Sequence, residues 1–326
     1  MPTDMGRRRY KAYLSRHLPQ AVEARALDRY EILRNPADTI LLPEALASAA
    51  KGCDYILTSA MQPVPRSVFE ELSGTLKAIG TLSVGYNHID LNAAQEFGVA
   101  VFYSPGVLSD ACADLAIMLL LNAARRGHEA DNLVRAGEWK GYAPTQLLGI
   151  GMKGKRAALF GMGRIGQAVA ARLKAFGVKV HYRNRRRLPE DIEQGAIFHQ
   201  SAEGLFAIAD FLFLLAPGSS DLIDYLNRER IEMLPPDAVI VNISRGDIIE
   251  DNALIEALQR RRVFAAGLDV FAGEPDLDPR YRTLPNVFLT PHIASATVDT
   301  RNAMGFLVLD GLQAFEEGRK ADNQLC

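Results

Sequence analysis

The segment "GKRAALFGMGRIGQAVAARLKAFG", residues 154–177, constrains the fold more than any other stretch. An apolar run ends on Gly161, Gly163 and Gly166 in G-x-G-x-x-G spacing, and a stretch with Ala and Leu on one helical face follows. Gly161 permits a tight turn between strand and helix. Gly163 lets the backbone approach a pyrophosphate, and Gly166 lets helix and strand pack closely. N–H groups at the helix start, those of Arg164 and Ile165, would face the phosphate with the positive end of the dipole. The spacing alone also fits a structural glycine turn. The strand before it and the helix after it point to a dinucleotide site.

Directly after the apolar run "VKVHY" comes "RNRRR", residues 183–187. In a dinucleotide unit the residue ending the second strand, roughly 20 positions after the glycines, meets the adenosine ribose. An Asp or Glu there would accept from both ribose hydroxyls and repel a 2′-phosphate. This chain has Arg183, then Asn184, Arg185, Arg186 and Arg187. A guanidinium grips a phosphate bidentately and offers a free ribose no acceptor. The whole chain has 39 acids and 37 bases, so the cluster is local, and nothing favours a nucleic-acid or membrane-surface protein. A solvated basic turn is the plain alternative. The expected cofactor is NADP(H), with NAD(H) the weaker choice, bound in part by Arg183, Asn184, Arg185 and Arg186.

At 326 residues the chain has room for two domains with separate cores. The three cysteines, Cys53, Cys112 and Cys326, form no metal-ligand spacing or even-numbered disulfide set, so no metal is expected and a reducing compartment fits. The apolar run "LAIMLLLNAA" is too short for a bilayer and reads as a buried helix. The opening residues have bases but no apolar signal core, and the expected location is the cytoplasm. Strand-like runs alternate with helical ones twice: "KAYLS", "YEIL", "DYILTS", "LKAIGTLS" and "VAVFY" first, then "KRAALF", "VKVHY", "DFLFLLA", "AVIVNI", "AAGLDV" and "NVFLT". Strands apolar almost throughout are those of a parallel sheet covered by helices on both faces. The expected fold is therefore α/β, with two doubly wound parallel-sheet domains. Ser109 and Asp110 read as N-caps of a long helix over 108–126.

Three further segments, "VNISRGDIIED", "AAGLDVFAGEPD" and "LTPHIASAT", carry Arg245, Glu274 and His292. Singly they fit a surface arginine, a loop acid and a turn histidine. All three lie at or just beyond strand ends of the second alternation, where open α/β sheets bind ligands.

With "SVGYNHIDLNAA", "SPGVLSDACADLAIMLLLNAARR", "GMGRIGQAVA", "NISRGDIIED", "AGLDVFAGEP" and "PHIASAT" in this order, nearly the whole chain resembles the D-isomer-specific 2-hydroxyacid dehydrogenases. Within that family it is most similar to the glyoxylate/hydroxypyruvate reductases. The resemblance implies a Rossmann dinucleotide domain, 105–294, inserted into a flavodoxin-like substrate domain made of 1–104 and 295–326. It places the catalytic roles on Arg245, Glu274 and His292, and the substrate-carboxylate loop on Val84 and Gly85. Arg245 would bind the carboxylate of a small 2-keto acid, and His292, oriented by Glu274, would act as general acid. Further cofactor contacts are expected from Ala216, Pro217, Ile243, Ser244, Asp269, Ala294 and Ser295, besides Arg245 and His292. Leu215 departs from the family pattern, in which many members carry a histidine, and is given no catalytic role. Met61 reads as a substrate-pocket wall or as core. Trp139, the only tryptophan, matches one that enters the partner subunit's site in reductases of this type, or it is an ordinary interface or surface aromatic; a homodimer is expected. Two other activities share these features: reduction of bulkier 2-keto acids such as phenylpyruvates, and non-enzymatic dinucleotide sensing by a corepressor of the same fold.

Overall fold

The computed structural model describes residues 9–326. The chain divides into two compact units, Met1–Leu108 with Ala296–Cys326, and Ser109–Ser295. In the first, β1 (Lys11–Leu14), β2 (Glu31–Arg34), β3 (Tyr55–Thr58), β4 (Ala78–Thr81) and β5 (Ala100–Phe102) form a parallel sheet in the order β2-β1-β3-β4-β5. The connecting helices are α1 (Gln20–Arg29), α2 (Pro43–Ala49), α3 (Arg66–Glu71) and α4 (Leu91–Glu96). Ala12 and Leu14 of β1 pack with Val22 and Ala26 of α1, whereas Tyr13 joins Leu46 of α2 and Val68 of α3 on the opposite face. Successive strand side chains point to opposite faces, so strands covered on both sides must be apolar at every position.

The second unit begins with α5 (Ser109–Ala124) and α6 (Gly127–Arg135). Then follow β6 (Arg156–Phe160), α7 (Arg164–Ala175), β7 (Lys179–Arg183), α8 (Glu190–Glu193), β8 (Ile197–Phe198), α9 (Ala202–Phe206) and β9 (Phe211–Leu214). After these come α10 (Arg228–Met233), β10 (Val239–Asn242), α11 (Asp251–Gln259), β11 (Ala265–Leu268) and β12 (Val287–Leu289). The seven strands are parallel in the order β12-β11-β10-β9-β6-β7-β8. The order reverses between β6 and β9, and ligands of open α/β sheets bind beyond the C-terminal strand ends at such a point. On one face α5 lies so close to β11 that a Cβ on Gly267 would sit 2.8 Å from Leu119 Cβ. The last helix, α12 (Val298–Glu316), covers the first sheet, with Val308 against Gly80.

Ser109 and Asp110 do not cap α5; both lie within its first turn. Asp110 and Asp114 instead pair with Arg172 of α7, at 3.0 and 2.6 Å. The two-residue β8 was not legible as a strand. Among the described residues, no helix is long and apolar enough to cross a membrane.

Candidate active site

The glycine turn sits at the order reversal of the second sheet. Gly161 has φ +102°, and a Cβ there would lie 2.6 Å from Ala216 N and 2.8 Å from the Leu215 carbonyl carbon. Any side chain would push the loop after β6 away from the loop after β9. Gly166, in the first turn of α7, would place a Cβ 2.5 Å from Gly161 O. Around Gly163 a Cβ would meet nothing within 4 Å, so that position opens onto free space in front of the N-termini of Arg164 and Ile165. Asn184 closes on the same turn: Met162 N–H donates to its Oδ1 (2.6 Å), and its Nδ2 donates to Met162 O (3.3 Å). Gly161 N–H donates to Arg183 O at 3.0 Å. Asn184 thus shapes the glycine turn.

The four arginines part company in the structure. Arg187 is bound bidentately by Glu193, at 2.8 and 2.9 Å. That guanidinium, together with the Tyr182 hydroxyl, holds the Glu193 carboxyl down to about 2. Arg183 is half-buried with its guanidinium 6.0 Å from the Phe198 ring centre. Arg185 and Arg186 are exposed and have no ion-pair partner among the described residues. Three cations are left for an anion, and the nearby acid, Glu193, is already neutralised.

The loops after β10, β11 and β12 are built on two buried polar side chains. Asn242, fully buried, accepts from Ser244 N–H (3.0 Å) and donates to Arg245 O (2.8 Å). Gly246 follows, and a Cβ there would fall 1.8 Å from the Phe271 carbonyl carbon. Gly246→Ala is therefore expected to cost about 1–3 kcal/mol through forced backbone movement, read as a lowered chemical-denaturation midpoint. Asp269 accepts from Thr290 Oγ1 (2.6 Å), Ile293 N–H (2.8 Å) and Ala294 N–H (2.9 Å). Burial pushes its carboxyl above the usual carboxylate range, and these three donors pull it back. His292 N–H donates to Asp269 O at 2.8 Å. This matters because His292 has φ +54°, a left-handed conformation costing a side-chain residue about 1–2 kcal/mol. The hydrogen bonds that Asp269 makes to Thr290, His292, Ile293 and Ala294 hold the turn in that conformation.

In that turn His292 Nδ1 lies 3.0 Å from Glu274 Oε1, both side chains partly buried. Glu274 comes from the loop after β11 and His292 from the loop after β12, eighteen residues apart. Arg245 is half-buried, its Nη1 donates to Ser244 O (2.6 Å), and it has no carboxylate partner among the described residues. An imidazole held by a carboxylate, and a guanidinium with no carboxylate partner among the described residues, can handle a carbonyl and a carboxylate.

The remaining candidates are placed as follows. Ala216, Ile243 and Ala294 are buried, Pro217 is exposed, and Ser295 is half-buried. Ser244 Oγ is buried with no hydrogen-bond partner among the described residues, an orphan donor of the kind a bound ligand satisfies. With the open space at Gly163, and Arg185 and Arg186 without ion-pair partners among the described residues, the residues fit a dinucleotide. Val84 and Gly85 belong to the first unit, in the loop after β4, and their N–H groups donate to no acceptor among the described residues. Met61 is half-buried beside Gln62, whose side chain bonds both Leu41 N–H (2.9 Å) and Leu41 O (2.8 Å). Trp139 is 55% exposed. The sequence reading missed Asn242, Thr290 and Gln62; the first two were marked only by a polar residue ending an apolar run.

A family model described as D-isomer specific 2-hydroxyacid dehydrogenase, NAD binding domain, matches residues 117–294. A glyoxylate reductase of Thermococcus litoralis is 40% identical over 282 residues, 85% of each chain. A solved chain from Polaromonas sp. JS6 66, assigned to the same family, is 49% identical with a TM-score of 0.94, covering 97% of this chain and 99% of that one. The NADPH-dependent glyoxylate/hydroxypyruvate reductase of Sinorhizobium meliloti, solved with NADP and malonate, is 32% identical with a TM-score of 0.87, covering 98% and 97%.

Proposed function

The chain belongs to the D-isomer-specific 2-hydroxyacid dehydrogenases, and from that premise we propose that it reduces a small 2-keto acid, glyoxylate or hydroxypyruvate, with NADPH. The observation that carries this reading is the His292–Glu274 pair, 3.0 Å apart beyond the C-terminal ends of the nucleotide-binding sheet. Such a pair has the geometry of a general acid and the group that orients it.

When bound, the nicotinamide supplies a hydride to the carbonyl carbon. Arg245 takes the substrate carboxylate and polarises the adjacent carbonyl, a charge-assisted contact worth about 1.5–3 kcal/mol. The N–H groups of Val84 and Gly85, which donate to no acceptor among the described residues, suit a substrate carboxylate. Because Nδ1 of His292 is committed to Glu274, Nε2 is the nitrogen left to protonate the carbonyl oxygen. Glu274 fixes the ring and favours the tautomer with hydrogen on Nδ1. Ile243, Ser244, Ala294 and Ser295 would hold the cofactor on this side, with Asp269 fixing the turn that carries Ala294.

Arg183, Arg185 and Arg186 favour NADPH, because among the described residues they are cations without carboxylate partners, at the strand end expected to meet the ribose. The enzyme acts as a homodimer. An exposed apolar stretch supports this: Val134 at 60%, Trp139 at 55%, Tyr142 at 88% and Leu148 at 63% exposure. If Trp139 enters a partner's substrate pocket, Trp139→Ala is expected to change the ranking of keto acids by kcat/KM and leave NADPH binding intact; an unchanged ranking makes it a packing residue.

The experiment for the whole reading follows NADPH absorbance with a panel of 2-keto acids. Glyoxylate and hydroxypyruvate are expected to lead. A lead for phenylpyruvates would move the assignment to bulkier substrates, and no turnover with any acid would favour the dinucleotide-sensing corepressor.

A further inference from the structure

Beneath the Val84–Gly85 loop runs a chain of three side chains that the proposed chemistry does not use. Ser83 Oγ donates to Gly85 O at 2.7 Å, Thr81 Oγ1 lies 2.7 Å from Ser83 Oγ, and His88 Nε2 lies 3.0 Å from Thr81 Oγ1. Ser83 and Thr81 are buried, at 6% and 0% exposure. A hydroxyl has one hydrogen to give, and counting hydrogens fixes every direction in the chain. Ser83 spends its hydrogen on the Gly85 carbonyl, so Thr81 must donate to Ser83. Thr81 then has none left for the imidazole, so His88 must donate from Nε2. The order is His88 Nε2–H to Thr81 Oγ1–H to Ser83 Oγ–H to Gly85 O. The backbone beneath it is held as well: Val64 N–H donates to His88 O at 2.7 Å, and Ser104 Oγ donates to Thr81 O at 3.2 Å.

The chain ends on the Gly85 carbonyl, in the loop whose Val84 and Gly85 N–H groups donate to no acceptor among the described residues. That carbonyl shares its peptide with the Tyr86 N–H; held by Ser83, it cannot turn toward an anion at the Val84 and Gly85 N–H groups, where its oxygen would repel the charge. We infer that His88, Thr81 and Ser83 are positioning residues that preset the Val84–Gly85 backbone to receive the substrate carboxylate. This rests on the reading that Val84 and Gly85 bind that carboxylate. The contact is the same in the ground state and the transition state, so losing the preset loop raises KM and leaves kcat nearly alone.

The test compares Thr81→Val, which keeps the shape and deletes the hydroxyl, with Thr81→Ser, which restores it. Thr81→Val is expected to raise the KM for hydroxypyruvate about tenfold, the order of one lost hydrogen bond, with kcat within about twofold. NADPH affinity, read by fluorescence titration, stays unchanged, and Thr81→Ser returns KM to near the wild-type value. Should Thr81→Val fail to fold, His88→Leu against His88→Gln, whose amide Nε2 can still donate, makes the same comparison. An unchanged KM in the hydroxyl-deleting variant, or an equal rise in Thr81→Ser, overturns the inference. Gly85→Pro separates the two levels, because it deletes one of the N–H groups itself. A raised KM in Gly85→Pro with none in Thr81→Val leaves the carboxylate reading standing and removes the hydrogen-bond chain. No rise in either variant removes both.

Discussion

His292→Ala is expected to lose roughly 10²–10⁴-fold in the rate of keto-acid reduction, the usual worth of a positioned acid, while NADPH still binds. The proton requirement gives the same residue a signature in pH. Reduction needs His292 protonated, since it donates to the developing alkoxide; oxidation of the hydroxy acid needs it neutral, since it must accept. Reductive kcat/KM should therefore fall with rising pH, and oxidative kcat/KM should rise. In His292→Ala both limbs should vanish. A reductive limb that survives in the variant would assign the proton to another group.

Arg183→Ala is expected to weaken NADPH use by roughly 10- to 150-fold in kcat/KM, the equivalent of one charge-assisted contact of about 1.5–3 kcal/mol. NADH should be nearly unaffected. Arg183 is the arginine to test first, because it ends β7 and is half-buried over Phe198 rather than solvated like Arg185 and Arg186. Arg187 serves as the contrast. Its guanidinium is committed to Glu193, so its replacement should act on the loop's stability before it acts on cofactor choice. Equal penalties with both cofactors in Arg183→Ala would make the cluster a solvated basic turn.

The parts of the site legible in the sequence are those where one backbone geometry admits one residue type. Gly161 and Gly166 are such positions, each with backbone where a Cβ would sit. The parallel sheets were legible because strands buried on both faces leave runs without alternation, as in "FLFL" and "VIVN". The Glu274–His292 pairing was not readable from spacing. Its eighteen-residue separation becomes 3.0 Å only because β11 and β12 are adjacent and parallel. The resemblance to the family supplied it. Asn184 was expected at the cofactor, and its amide closes on Met162, because a side chain's partner is decided by which loop folds beside it. The chain from His88 to Gly85 escaped for the same reason: Thr81 and Ser83 sit in the strand-like run "LKAIGTLS" and His88 beyond it, and nothing in their spacing joins them until the turn brings them together.

The most direct test of the central claim is the product itself. Purified protein with NADPH and hydroxypyruvate is run to completion, NADPH oxidation is followed by absorbance, and the glycerate formed is resolved by chirality. The account predicts one NADPH oxidised for each D-glycerate formed, with His292→Ala arresting both together. L-Glycerate as the product, or hydroxypyruvate left unreduced while NADPH binds, would contradict it.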